Sequence, residues 1–182
     1  MPTQAARKAP AVKRRPRPPV SSFVRRAVAL GAKSAKVVKA SFIATAPGVR
    51  LKCQYGCDGY GRTLCCPPYT PTPDQTRAVI DAYEQAILFE AGPRGAKRTA
   101  LDLEREVFLA GYHQAFGLGA GPCSLCAECA FEKGCRHAEE ARPSMEACGI
   151  DVFHTARANG FEIEVVRNRE DPQHYFGVVL VE

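Results

Sequence analysis

TPDQTRAVIDAYEQAILFEA, residues 72–91, changes its periodicity part-way along. Thr72 is placed to cap a helix, Pro73 suits the first helical position, and Gln75 completes a capping box. Val79, Tyr83, Ala86 and Ile87 then recur as a buried helical stripe, and AILFEA (86–91) reads as a strand. A capped helix running into an apolar strand is the mark of helices packed on a sheet.

The flanking chain supports the same class. Phe23, Val24, Ala27, Val28 and Leu30 predict a short helix stopped near Gly31, and AKVVKASFIAT (35–45) predicts a strand. Residues 46–73 are so rich in Gly and Pro that no regular element is expected there. Residues 99–116 predict a helix, and Met145, Cys148, Val152 and Ala156 recur at helical spacing up to a stop at Asn159–Gly160, with Gly149 and Asp151 dividing the region. FEIEVV (161–166) and HYFGVVLVE (174–182) read as an antiparallel hairpin turning through NREDP. The expected fold is α+β, a mixed sheet of about four strands with packed helices and two projecting cysteine-rich loops.

The 182 residues are 46% hydrophobic and 24% charged, as in ordinary soluble globular proteins. No apolar run is long enough to span a bilayer. The formal charge of +6 is unevenly spread: eight of the 25 Lys and Arg lie within residues 1–26, which carry no acidic residue. Residues 1–20 therefore read as a disordered basic tail and 21–182 as a single domain. The tail is read first as solvated, and second as a contact for nucleic acid or another acidic surface. Arg25 and Arg26 interrupt the apolar stretch after the basic region, which argues against a secretory or twin-arginine signal and for the cytoplasm.

Nine cysteines in a reducing compartment point to metal rather than to disulfides, and an odd number cannot pair completely. Cys123, Cys126 and Cys129 follow continuous C-x2-C-x2-C spacing, with Cys135 after five further residues. Zinc knuckles are usually two separated C-x2-C pairs, whereas the continuous run is the spacing of a bacterial-type ferredoxin loop. In ferredoxins the fourth cysteine serves the other cluster, so Cys135 either closes its own site or belongs to the neighbouring one. The GAGP segment ahead of the loop offers small residues whose N–H groups can approach sulfur.

The earlier loop carries Cys53, Cys57 and the pair Cys65–Cys66, followed by Pro67–Pro68. It starts like a radical-SAM motif but has Tyr60 where the third cysteine belongs. Neighbouring side chains diverge, so Cys66, backed by the prolines, is preferred to Cys65 as the ligand. The candidate metal ligands are thus Cys53, Cys57, Cys66, Cys123, Cys126, Cys129 and Cys135, with Cys65, Cys148 and His137 as possible additions. Cys148 reads equally as a core residue. His113 and His154 read as packing or surface residues, and Arg136 and Arg142 as solvated or charge-neutralising. Asp58, Tyr60, Arg62 and Tyr69 read as turn-formers before they read as substrate contacts. GLGAG (117–121) follows a predicted helix and so is no dinucleotide fingerprint. No Ser-His-Asp set, persuasive carboxylate pair or phosphate loop is present.

The combination C-x3-C, YGR-x-LCCPPYTPTP, LERE-x-FLAGYHQAFGLGAGPCSLCAEC, CRH and ARPSMEACGIDVF resembles an uncharacterised cysteine-rich "predicted metal-binding protein" family, domain-of-unknown-function family 2284. The likeness runs from about residue 20 to the C-terminus. It implies a cytosolic prokaryotic protein with a cysteine-bound metal, iron–sulfur in kind, held by Cys53, Cys57, Cys66, Cys123, Cys126, Cys129 and Cys135. The family pattern has one cysteine before Pro-Pro, and His-Pro where this chain has His137–Ala138, so Cys65 is an addition.

Three functions follow as expectations. The first is an iron–sulfur protein holding one or two 4Fe–4S clusters, which transfers electrons or assists an enzyme through a redox partner protein. The second is a zinc-stabilised interaction module, touching nucleic acid through residues 1–20. The third is an enzyme whose cluster keeps an open iron site as a Lewis acid.

Overall fold

The computed structural model describes residues 16–182, so most of the expected basic tail lies outside the described residues. Its last part packs on the body. The Arg17 guanidinium lies 4.5 Å over the Tyr112 ring, the Tyr112 hydroxyl donates to Pro18 O at 2.7 Å, and Val20 is buried.

Among the described residues, five α-helices surround a sheet of four strands in the order β1-β2-β4-β3. α1 (Ser22–Ala29) leads into β1 (Ala32–Lys39) through Gly31, whose φ of +108° favours glycine. β1 starts earlier than expected and ends at Lys39, because residues 40–42 coil into a turn that sinks Ala40 and Ile43 into the core. α3 (Pro73–Ile80) carries the expected capping box, with Thr72 N–H donating to Gln75 Oε1 at 2.9 Å and Gln75 N–H to Thr72 Oγ1 at 3.3 Å. Its buried face is Thr76 and Ile80; Val79 is exposed, and Ala86 and Ile87 belong to β2 (Gln85–Ala91).

Four expectations are corrected. Residues 46–73 are not wholly irregular: Pro47 opens α2 (Pro47–Gly56) at the position where its missing N–H costs nothing, and VRLKCQY contains no breaker. The predicted 99–116 helix is α4 (Ala96–Leu109); it stops before Gly111, which sits at φ +105°. Phe116–Leu118 then forms β3, so GLGAG leaves a strand after all. The 161–166 hairpin arm is absent as a strand, because β4 (Tyr175–Leu180) is already paired with β2 on one side and β3 on the other. Gly149 and Asp151 do divide the next region: residues 146–148 form a short 3-10 turn ending at Gly149, and α5 (Val152–Ala158) follows, capped by Asp151, which accepts from His154 N–H at 2.9 Å.

Every strand pair is antiparallel, where a mixed sheet was expected. Both faces of the sheet are covered, which is why AILF reads as an unbroken apolar run. Ile87, Phe89 and Val179 face Phe23, Ala27, Ala100, Leu103 and Val107 of α1 and α4. Leu88, Val178 and Leu180 face Ile43, Ile80, Met145, Ile150, Ala156 and Phe161. The later cysteine loop leaves this frame at the end of the short edge strand β3, and the earlier one grows out of α2.

Candidate metal centre

The later loop is a closed excursion from the end of β3. Gly119 N–H donates to Pro143 O at 3.0 Å and Met145 N–H to Gly119 O at 2.9 Å, so the chain returns beside its point of departure. Arg142 fixes the neck to α4 through Nε and Nη2, each 2.6 Å from a Glu104 carboxylate oxygen, with both side chains 13% exposed. Glu104 also accepts from Gly117 N–H at 2.7 Å. Farther out, Arg136 donates to Glu128 O at 2.6 Å.

The earlier loop grows out of α2, which presents Cys53 in its last turn and Cys57 just beyond its end. Tight turns follow: Gly61 N–H donates to Pro67 O at 2.7 Å and Cys66 N–H to Thr63 O at 3.0 Å. Arg50 fastens the helix, donating to Pro71 O at 2.8 Å and Ala147 O at 2.9 Å. The two loops touch through Leu64 N–H, which donates to Cys129 Sγ at 3.4 Å, and through the Tyr69 and Phe131 rings, 5.0 Å apart.

The thiols gather around two cavities. One of about 20 Å³ is lined by Cys65, Cys123, Cys126, Cys129 and Cys135, with His137 beside them. The other, of about 340 Å³, is lined by Cys53, Cys57 and Cys66, with Gly59, Tyr60 and Glu146. Cys65 and Cys66 are neighbours in sequence, yet they line different cavities. We call the first the closed site and the second the open site. In the open site, Gly59 N–H donates to Cys57 Sγ at 3.4 Å, and a Cβ on Gly59 would meet Cys66 Sγ at 3.4 Å and Cys57 Sγ at 3.5 Å. Cys53 Sγ lies 3.9 Å from Glu146 O. All nine cysteines are free thiols. Among the described residues, no three Cys, His, Asp or Glu side chains stand close enough together to hold a single ion.

Between the sites stands Lys97, in the first turn of α4. It reaches this position because Gly119 has no side chain: a Cβ there would lie 2.6 Å from Lys97 Cγ and 2.8 Å from its Cα. The Lys97 ammonium is sealed from solvent with no hydrogen-bond partner among the described residues, and so is Glu146 Oε2. Burial lowers the Lys97 pKa, opposed by Cys123, Cys65, Cys66 and Glu146. Burial also raises the Glu146 carboxyl, opposed in part by Ser144 and Lys97. The Cys65 thiol is pushed up to about 12, by burial first and then by Cys123, with Lys97 pulling it down. An unpartnered buried ammonium is costly unless an anion shares its site.

A family model described as "Predicted metal-binding protein (DUF2284)" matches residues 36–181, a span containing all nine cysteines. The chain belongs to this family. No curated protein and no solved structure matches it. In this DUF2284 member the donor set fits a thiolate-bound metal: eight thiols line two cavities, backbone N–H groups donate to two sulfurs, and the orphaned Lys97 would supply the positive charge that bound thiolates need.

The seven cysteines chosen from sequence all line one cavity or the other. Cys65 joins the closed site, as does His137. Cys148 instead lies in the core with Ile43, Ile80 and Ile150, and burial pushes its thiol up to about 12. Tyr60 lines the open site, whereas Arg142 is a structural partner of Glu104. Sequence reasoning passed over Lys97 and Glu146; the signal for Lys97 was the glycine at 119, which allows α4 to approach β3. Among the described residues no helix is long and apolar enough to cross a membrane.

Proposed function

We propose that this metal-binding protein is an iron–sulfur protein with two centres and a redox role. The observation that carries this reading is the division of Cys65 and Cys66 between two cavities, which sets two thiol groups one peptide bond apart. Cys65, Cys123, Cys126, Cys129 and Cys135 offer more than the four thiolates that one cubane takes; Cys53, Cys57 and Cys66 offer three. Iron–sulfur groups bound there would accept and release single electrons. The chain's own contribution is to tune them, through N–H···S bonds from Leu64 and Gly59 and the buried charge of Lys97. The ferredoxin-like spacing at 123–129 supports iron–sulfur over zinc.

The closed site suits storage or relay, and the wider open site suits contact with a redox partner protein. Free thiols throughout fit the reducing cytoplasm. The test is the iron and acid-labile sulfide content of anaerobically purified protein. About eight irons per chain support two cubanes and about four support one, whereas zinc without sulfide replaces this reading with a zinc-stabilised module.

A further inference from the structure

A cavity of about 860 Å³ lies beside the open site, between α2, α5 and the unpaired segment 161–166. That is the size of a small-molecule pocket. Its walls are apolar, chiefly Val49, Val152, Phe153, Ile163 and Val165. Phe153, Val165 and Val166 are exposed, so several apolar side chains without cover converge on one groove. Val49, Lys52, Glu146 and Tyr175 line both this cavity and the open thiol site, so the two spaces adjoin.

The charged groups of the groove are nearly all committed. Arg157 donates to Ile163 O at 2.9 Å and to Glu164 at 3.2 Å. His174 lies 3.0 Å from Glu90, and Asp151 is spent on the α5 cap. Glu146 Oε2 is turned away from solvent. Lys52, which lies where the groove meets the thiols, has no ion pair or hydrogen bond among the described residues. An apolar trough ending in one free ammonium is complementary to one class of molecule.

We propose that this groove binds a small amphipathic carboxylate, its hydrocarbon part against Val152, Phe153 and Val165 and its carboxylate on Lys52, next to Cys53, Cys57 and Cys66. The site is independent of which metal the thiols hold, because every contact invoked is made by the groove itself. It gives the open thiol site a small organic neighbour in addition to any protein partner.

The test is isothermal titration of the metal-containing protein, as purified, with octanoate, octan-1-ol and octylamine. Octanoate should bind saturably and about tenfold or more tighter than octan-1-ol, as expected for a charge-assisted hydrogen bond. Lys52→Met should remove that preference while leaving octan-1-ol binding and metal content unchanged. Val165→Asp, at an exposed position, should weaken both ligands without altering the fold seen by circular dichroism. The proposal is overturned by absence of saturable binding, by equal affinity for octanoate and octan-1-ol, by tighter binding of octylamine, or by a Lys52→Met protein that keeps the carboxylate preference.

Discussion

Removing the charge of Lys97 should change stability in opposite directions with and without metal. Its ammonium is sealed from solvent with no hydrogen-bond partner among the described residues, beside Cys65, Cys66, Cys123 and Glu146. Lys97→Met keeps the hydrocarbon stem that packs under Gly119 and deletes only the orphaned donor. Relieving a buried unsatisfied group gains about 2 kcal/mol, which for a chain of this size is about 4–8 °C in melting temperature. With metal bound, deprotonated thiolates become the missing anion, and the same substitution should lower the melting temperature and weaken metal retention.

Thermal unfolding followed by circular dichroism, under anaerobic reducing conditions before and after metal removal, reads both signs. A pH series adds an independent check. Burial holds the folded-state Lys97 pKa below its unfolded value, so the unfolded chain binds more protons in the interval between the two. Wild-type stability, relative to Lys97→Met, should therefore rise with pH across that interval, which ends near the unfolded lysine value of about 10.4. Buried thiols titrate in the opposite sense in both proteins and cancel in the difference except for Cys65, which Lys97 pulls down and the substitution therefore raises further. Equal shifts with and without metal, or a metal-depleted variant less stable than wild type, would refute the account of Lys97 as a counter-charge.

Three further outcomes follow from the geometry. Gly59→Ala places a Cβ 3.2 Å from Pro122 Cβ and 3.4 Å from Cys66 Sγ, crowding the thiols, so metal at the open site should be held more weakly while the closed site keeps its complement, read by metal analysis. Cys148→Ala should leave metal content unchanged where Cys66→Ala and Cys126→Ala reduce it, and in the native protein Cys148 should resist iodoacetamide until unfolding. Arg142→Met strands the Glu104 carboxylate, and a denaturant titration should show a loss of roughly 3 kcal/mol together with loosened metal binding at the closed site.

What the sequence disclosed depended on how local each cause was. The α3 cap and the Cys123–Cys129 spacing are written within a few residues, and both were legible. α2 was hidden because Gly and Pro content over residues 46–73 masked a short breaker-free stretch behind Pro47. β3 was hidden because a strand of three residues, one of them glycine, has no periodicity. FEIEVV alternates as a strand should, but alternation cannot reveal that both edges of β4 are taken. It became instead a wall of the apolar groove. The separation of Cys65 from Cys66 was visible in outline, since adjacent side chains diverge, yet its destination required the fold.

Lys97 shows why the site was less legible than its ligands. A thiol advertises metal by its type and spacing, whereas a lysine in a helix looks like any solvated charge. Its role arises from three features far apart in sequence: α4, the bare backbone at Gly119, and the thiols of both loops. The same helix holds Glu104, which ties down the neck of the closed site through Arg142 and receives Gly117 N–H from β3. α4 therefore supports the candidate metal centre at two points, with a paired charge at the loop's root and an unpaired one between the thiols. The paired charge fixes where the closed site's loop stands, and the unpaired charge would favour an anionic centre in the space between the thiols.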